Sequence, residues 1–277
     1  MTVRIERSGP VWTVIHSRPE ARNAMDPESA AALYDAFLDF DADDEAAVAV
    51  FWGEGGAFCA GWDLKHAAAL DEPEPLSELA IPPDGGDHDA AGRRNGSEIP
   101  MGAMGPSRLE LDKPVIAAVA GPAVAGGMEL AMWADIRVME KNAYMGVYCR
   151  RWGIPLIDGG TVRLPRLVGE GRALDLILTG RQVMADECER IGLCEYIVPE
   201  GEARTRAEEL AHQIAQFPQL CARADRRSVK AQHGLNVRDA LVQEWYNSRP
   251  VLEAEGIEGA GRFSSGDGRH GAGTGRP

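Results

Sequence analysis

Twice in this chain an apolar run long enough for one strand breaks into a cluster of small residues where only tight turns fit. The first run is Val48 to Trp52, followed by Gly53-Glu54-Gly55-Gly56 and then Ala57-Phe58-Cys59-Ala60-Gly61-Trp62-Asp63. The second is Lys113-Pro114-Val115-Ile116-Ala117-Ala118-Val119, which runs into Ala125-Gly126-Gly127-Met128-Glu129. Short apolar runs bounded by glycine clusters are the signature of buried strands in an α/β sheet. Two such turns side by side aim two backbone N–H groups at one point, and Glu129 stands just past the second pair of glycines. That combination suits stabilisation of an enolate with an acid/base beside it.

The flanking pattern supports an α/β core. Val11 to Ile15 is strand-like, and Asp26-Pro27-Glu28 supplies an N-cap, a proline at the first helical position and an acid in the first turn. Ala30, Leu33, Phe37 and Leu38 continue at helical spacing. The pattern predicts a helix from Glu129 to Trp133 begun by the glycines, and a strand from Ile136 to Val138. Further helices are expected at Glu170 to Leu178 and Ala185 to Arg190, with a last strand at Cys194 to Val198. Beyond Pro199 the chain reads as helices alone, at Glu202 to Gln216, Gln219 to Gln232 and Val237 to about Glu253, with a fraying tail from Gly256. The expected division is an α/β core at 1–198 and a helical region at 199–277.

Residues 67–107 lack periodicity. They crowd acids and prolines in Asp71-Glu72-Pro73-Glu74-Pro75 and glycines around Pro82-Pro83-Asp84-Gly85-Gly86, with one short helix expected near Leu76 to Leu79. The stretch reads either as a surface insertion or, from its place after the first turn, as a mobile segment covering a substrate.

The net charge of −14 argues against nonspecific nucleic-acid binding, which depends on lysine and arginine neutralising phosphates. No run approaches the roughly 18 apolar residues of a membrane span, and the first residues lack the apolar core of a signal peptide. A cytoplasmic protein is expected. Five cysteines without a CxxC pair, and six histidines without HxH or HxxxH spacing, suggest reduced thiols and no protein metal site.

Taken in order, these motifs resemble the crotonase superfamily of enoyl-CoA hydratases and isomerases. Arg18-Pro19-Glu20-Ala21-Arg22-Asn23-Ala24-Met25 opens the resemblance. Phe58 to Leu64 and Lys113 to Glu129, with Leu130-Ala131 and Ala134-Asp135, carry its two turns. Leu178-Thr179-Gly180-Arg181, Ala185 and Ile191-Gly192-Leu193 lead into the helical region. The resemblance implies a spiral of ββα units with C-terminal trimerisation helices, forming a homotrimer or a dimer of trimers, and a place in fatty acid metabolism. It implies an acyl-CoA substrate whose thioester oxygen sits between the N–H groups of Trp62 and Gly126. CoA belongs to that substrate, so no separate cofactor is expected.

Further assignments follow from the resemblance. Glu129 matches one of the family's two hydratase glutamates, and Ala60 and Gly61 in the first turn are candidates for binding the substrate. Arg22, Lys65 and His66 are candidates for CoA contacts, although each alone also reads as a solvated surface charge. Trp62 either walls the acyl pocket or stands at its rim. The second family glutamate falls on Cys149, whose thiol has a reference pKa about four units above a carboxylate's. Cys149 is therefore inert lining, a proton donor or thiolate favoured by Arg150 and Arg151, or a nucleophile. Asp158, in Ile154-Pro155-Leu156-Ile157-Asp158-Gly159-Gly160-Thr161, is the best replacement acid, or else the N-cap of a helix starting near Gly160. The expected reaction is hydration of a 2-enoyl-CoA. Double-bond isomerisation is the alternative, and a CoA-binding or RNA-associated relative without turnover stands outside catalysis.

Overall fold

The computed structural model of the protein describes residues 2–70, 79–81 and 101–266. Six strands form the main sheet: β1 (Val3–Ser8), β2 (Val11–His16), β3 (Val48–Gly53), β4 (Val115–Val119), β6 (Ile136–Glu140) and β9 (Tyr196–Val198), side by side in that order. The β1–β2 pair is a hairpin, and every later pairing is parallel. Parallel neighbours require crossovers, which is why helices alternate with the strands. A second sheet joins β5 (Pro122–Val124), β7 (Tyr144–Gly146) and β8 (Val183–Met184). Neither β5 nor β7 is visible as a separate strand in the sequence pattern, because each is only three residues long.

Both faces of the main sheet are covered. On one face Trp12, Val14, Ala49, Phe51, Ala117 and Val119 pack with Leu33, Phe37 and Phe40 of helix α1 (Pro27–Ala42). On the other, Val11, Val48, Val50, Ile116, Ala118 and Val138 pack with Ala203, Ala207, Leu210 and Ala211 of the helix Ala203–Ala215. The alternation follows from the period of two along each strand. It also corrects an expectation. The first of the C-terminal helices expected to trimerise turns its apolar stripe of Ala207, Leu210, Ala211 and Ile214 onto the chain's own sheet. Apolar surface is instead exposed further on, at Leu220, Val229, Val237, Leu241, Trp245 and Tyr246.

Two other expectations change. The chain does not fray at Gly256 but continues helical through Ile257–Ser265. The 67–107 stretch is not one uniform loop. Residues 71–78, which include most of the expected short helix, and 82–100 lie outside the described residues. Residues 101–107 pack tightly, with Met104 and Ser107 buried, and Gly105 is so close to α1 that a Cβ there would lie 2.5 Å from the Ala30 carbonyl oxygen. Among the described residues no helix is long and apolar enough to cross a membrane.

Candidate active site

The site forms where β3 and β4 end, the edge at which parallel α/β sheets expose loops and ligands bind. After β3 the first turn runs alongside β5. Phe58 and Cys59 N–H donate to the Pro122 carbonyl at 3.0 and 3.2 Å, and Val124 N–H donates to the Cys59 carbonyl at 3.0 Å. The two turns then touch. A Cβ at Gly61, whose φ is +90°, would lie 2.9 Å from the Ala125 side chain and 3.1 Å from the Gly126 nitrogen. At Gly127 a Cβ would lie 2.0 Å from the Cys59 carbonyl oxygen, so only glycine fits.

This packing leaves two backbone donors, the N–H groups of Trp62 and Gly126, beside one cavity. Met25 N–H donates to the Gly61 carbonyl and Asp63 N–H to the Met25 carbonyl, at 2.7 and 2.8 Å. Successive N–H groups of an extended segment alternate in direction, so Trp62 N–H faces away from Met25, toward the cavity that its side chain lines. Ala125 holds φ +54° and ψ −125°, an uncommon conformation for a residue with a side chain. Its N–H is tied to the Gly146 carbonyl at 2.8 Å, and the next residue, Gly126, begins helix Gly126–Trp133. Neither Trp62 nor Gly126 N–H donates to another group among the described residues.

A cavity of about 170 Å³ opens beside these donors. Its walls include Ala60, Trp62, Leu64, Met104, Ile154 and Ile157, and Glu129, Cys149 and Asp158 face into it. Glu129 is only 3% exposed. One carboxylate oxygen, Oε1, accepts N–H bonds from Asp158 and Gly160 at 2.9 and 2.7 Å. Burial first, and the Asp158 charge second, push the Glu129 carboxyl up from 4.5 to about 7, against the pull of those two N–H groups. A carboxyl poised near neutrality can both take and give a proton.

Asp158 is 2% exposed and belongs to the site rather than to a helix cap. The helix Gly160–Val168 has Gly159 at its N-cap, without a side-chain cap, and Gly159's φ of +96° turns Asp158 away from it. Asp158 Oδ1 instead accepts from Ser107 Oγ at 2.5 Å and Met104 N–H at 3.2 Å. Cys149 is buried, and burial followed by the Glu129 charge pushes its thiol up, so the environment disfavours a thiolate. Of the two arginines expected to favour one, Arg150 pulls the thiol down but is outweighed, its Nε donating to the Ile177 carbonyl, and Arg151 stacks on Tyr148.

Arg22 and Lys65 both flank the first turn with exposed side chains. The Arg22 carbonyl accepts from Ala60 N–H at 3.1 Å, and Lys65 N–H donates to Asp63 Oδ1 at 3.0 Å. His66 is half-buried next to Lys65. Ser107, Met104 and Arg163 had gone unnoticed in the sequence. Arg163 donates to the carbonyls of Asp158 and Ser107, at 2.9 and 2.7 Å. No local pattern marks these residues, because Ser107 and Asp158 are 51 positions apart. Among the described residues no three His, Cys, Asp or Glu side chains gather as a metal-binding group.

Comparison with known proteins fits this architecture. The family model for enoyl-CoA hydratase/isomerase matches residues 6–78 and 107–259. The chain is 36% identical over 233 residues to enoyl-CoA hydratase EchA19 of Mycobacterium tuberculosis, covering 82% of this chain and 79% of that protein. It is 34% identical over 239 residues to a carnitinyl-CoA dehydratase of Salmonella enteritidis, covering 86% and 84%. Among solved structures, the enoyl-CoA hydratase of Bacillus anthracis superposes with a TM-score of 0.82 at 27% identity, covering 96% of each chain. The chain belongs to the enoyl-CoA hydratase/isomerase family, and its fold is that of the crotonases.

Proposed function

We propose that the protein catalyses the reversible addition of water to the 2,3 double bond of an enoyl-CoA. The observation that carries this reading is Glu129: a buried carboxyl pushed up to about 7, beside two backbone N–H groups left without acceptors. With the thioester oxygen held between Trp62 and Gly126, the charge that develops as C3 is attacked moves onto that oxygen. Preorganised donors there act as an oxyanion hole, each contributing on the order of 3 kcal/mol. The N-terminal end of helix Gly126–Trp133 adds its positive dipole.

Glu129 activates the attacking water, and Asp158 serves as the second proton carrier in place of the carboxylate that Cys149 replaces. The chemistry is acid–base throughout and calls for no cofactor beyond the CoA of the substrate. Trp62, Leu64, Ile154 and Ile157 give the acyl group apolar walls, while Arg22 and Lys65, exposed beside the first turn, suit the CoA phosphates. The exposed apolar residues from Leu220 to Tyr246 support a trimer or a pair of trimers. A cytoplasmic setting in fatty acid metabolism accords with this chemistry.

Double-bond isomerisation is the second reading, favoured by the thiol of Cys149 on the cavity wall where a second glutamate was expected. Incubation with a panel of 2-enoyl- and 3-enoyl-CoAs, with products weighed by mass spectrometry, tests both. A gain of one water from 2-enoyl-CoA is the expected outcome. An unchanged mass with a moved double bond would replace hydration by isomerisation, and binding without any product would remove catalysis altogether.

A further inference from the structure

Asp158 lies on a glycine-rich loop, and something must fix its carboxylate for it to exchange protons with a substrate. Two donors do so, and both come from residues 101–107. Ser107 Oγ and Met104 N–H donate to Oδ1 of Asp158. Arg163 spans the Asp158 and Ser107 carbonyls, locking the two backbones together. The same segment touches the other half of the site. A Cβ at Gly126 would lie 2.4 Å from Met104 Sδ, so Met104 packs directly on the residue that supplies one free N–H. A Cβ at Gly102 would lie 2.3 Å from both Asp158 Oδ1 and Ser107 Oγ, so the strap approaches the carboxylate as closely as a backbone can. Residues 79–106 fall outside the stretch that the family model matches, and Ser107 is the first residue after it.

We propose that Ser107 is a positioning residue: its hydroxyl, fully buried and donated to Oδ1, holds the Asp158 carboxylate oriented opposite Glu129. The proposal rests on the reading of Glu129 and Asp158 as proton carriers for an enoyl-CoA. The Asp158 carboxylate is one of the groups that push the Glu129 carboxyl up, so where it is held bears on Glu129. The other groups that act on Glu129 are the N–H groups of Asp158 and Gly160 and the cation of Arg163, all favouring its ionised form, while the Cys149 thiol lies on the same wall. Ser107 thus acts on the chemistry only through Asp158, and that dependence is what an experiment can isolate.

The test is a double-mutant cycle on the full chain with Ser107→Ala, Asp158→Asn and both together. Ser107→Ala alone is expected to lower kcat about 10- to 100-fold, the range for a hydrogen bond to a charged group, with KM changed much less. In the Asp158→Asn background the same change is expected to be nearly silent, because residues acting in one network are not additive. An equal loss in both backgrounds would overturn the proposal, since a merely structural serine would cost the same in each. The Glu129 carboxyl, followed by carbon NMR against pH, gives a readout independent of turnover. Its midpoint is expected to fall in Asp158→Asn, and to move in Ser107→Ala only while Asp158 is present, because the carboxylate is then no longer held in place opposite Glu129. A midpoint unmoved by Ser107→Ala would contradict the proposal even if kcat fell. If no enoyl-CoA is turned over, the functional reading fails while the NMR titration still decides the role of Ser107. Should Ser107→Ala not fold, Ser107→Cys, of similar size and a much weaker donor, takes its place in the same cycle.

Discussion

Glu129 and Asp135 are six residues apart, one inside helix Gly126–Trp133 and one just beyond its end, and both are well shielded from water. Their surroundings drive them in opposite directions. At Asp135 burial pushes the carboxyl up, but Arg226 and Lys230 together outweigh it and hold the group below the usual range. Asp135 Oδ2 also accepts from Val115 N–H and Arg226 Nε, both at 2.9 Å, and Lys230 Nζ lies 2.6 Å from Oδ1. At Glu129 burial first and the Asp158 charge second push the carboxyl up to about 7, outweighing two backbone N–H groups and the Arg163 charge, and among the described residues no ion pair ties it to a cation. One helix thus has a carboxyl raised to near neutrality in its first turn and an ion-paired one just past its last. Whether a buried acid is tied to a cation or left to titrate marks the division between holding the fold and doing chemistry.

The widest gap between the two is expected in turnover. Glu129→Gln preserves shape and can still accept both N–H bonds through its amide oxygen, while losing the ability to carry a proton. Its kcat is expected to fall roughly 100- to 10,000-fold, and an unaffected rate on the best substrate would refute the assignment. Asp135→Asn is expected to do the reverse. It strands Arg226 and Lys230 without their counter-charge, at a cost of about 1–3 kcal/mol after discounting for partial exposure. A denaturant titration reads that loss, and kcat per folded molecule should stay near wild type.

The two groups also give stability opposite dependences on pH. Glu129's folded pKa is raised, so the native state holds its proton more tightly than the unfolded chain. Stability from this source is fully present below about 4.5 and is lost as pH rises toward about 7. Glu129→Gln should therefore raise stability at pH 8 by up to about 3 kcal/mol and change little near pH 4. Asp135's folded pKa is depressed, so its contribution is present above the unfolded value and lost as pH falls through the folded one. Thermal melts of Glu129→Gln at pH 4 and pH 8, and of Asp135→Asn at pH 8 and well below the ordinary value of 3.8, check the signs, and a Glu129→Gln protein no more stable than wild type at pH 8 would count against a raised Glu129. The smallest effect is expected at Cys149→Ser. It should change kcat by a factor of about 3 or less, far below the contribution of an acid/base group.

What the sequence disclosed follows the same division. The turns at Trp62 and Gly126, and Glu129 behind them, are legible because the small residues that shape them are contiguous. The parallel strands were legible for the same reason, whereas β5 and β7 were too short to leave a pattern. The contacts that distinguish Glu129 from Asp135 span long separations. Arg226 comes from 91 positions away from Asp135, and Ser107 from 51 positions away from Asp158. Asp158 was misjudged as a possible cap because a favoured capping residue stood before a helix, and only the left-handed Gly159 between them shows that its side chain turns elsewhere. The stripe on Ala203–Ala215 was correctly seen as needing a partner surface, but periodicity cannot say whether that surface lies in the same chain.

The central claim is that Glu129 directs water onto an enoyl-CoA, and oxygen-18 labelling of the solvent tests it most directly. With 2-enoyl-CoA in labelled water, the wild-type protein is expected to place one heavy oxygen in a 3-hydroxyacyl-CoA. Asp135→Asn should do so at a similar rate, and Glu129→Gln should leave the substrate almost untouched over the same time. Turnover to a product without solvent oxygen, or undiminished labelling by Glu129→Gln, would contradict the account.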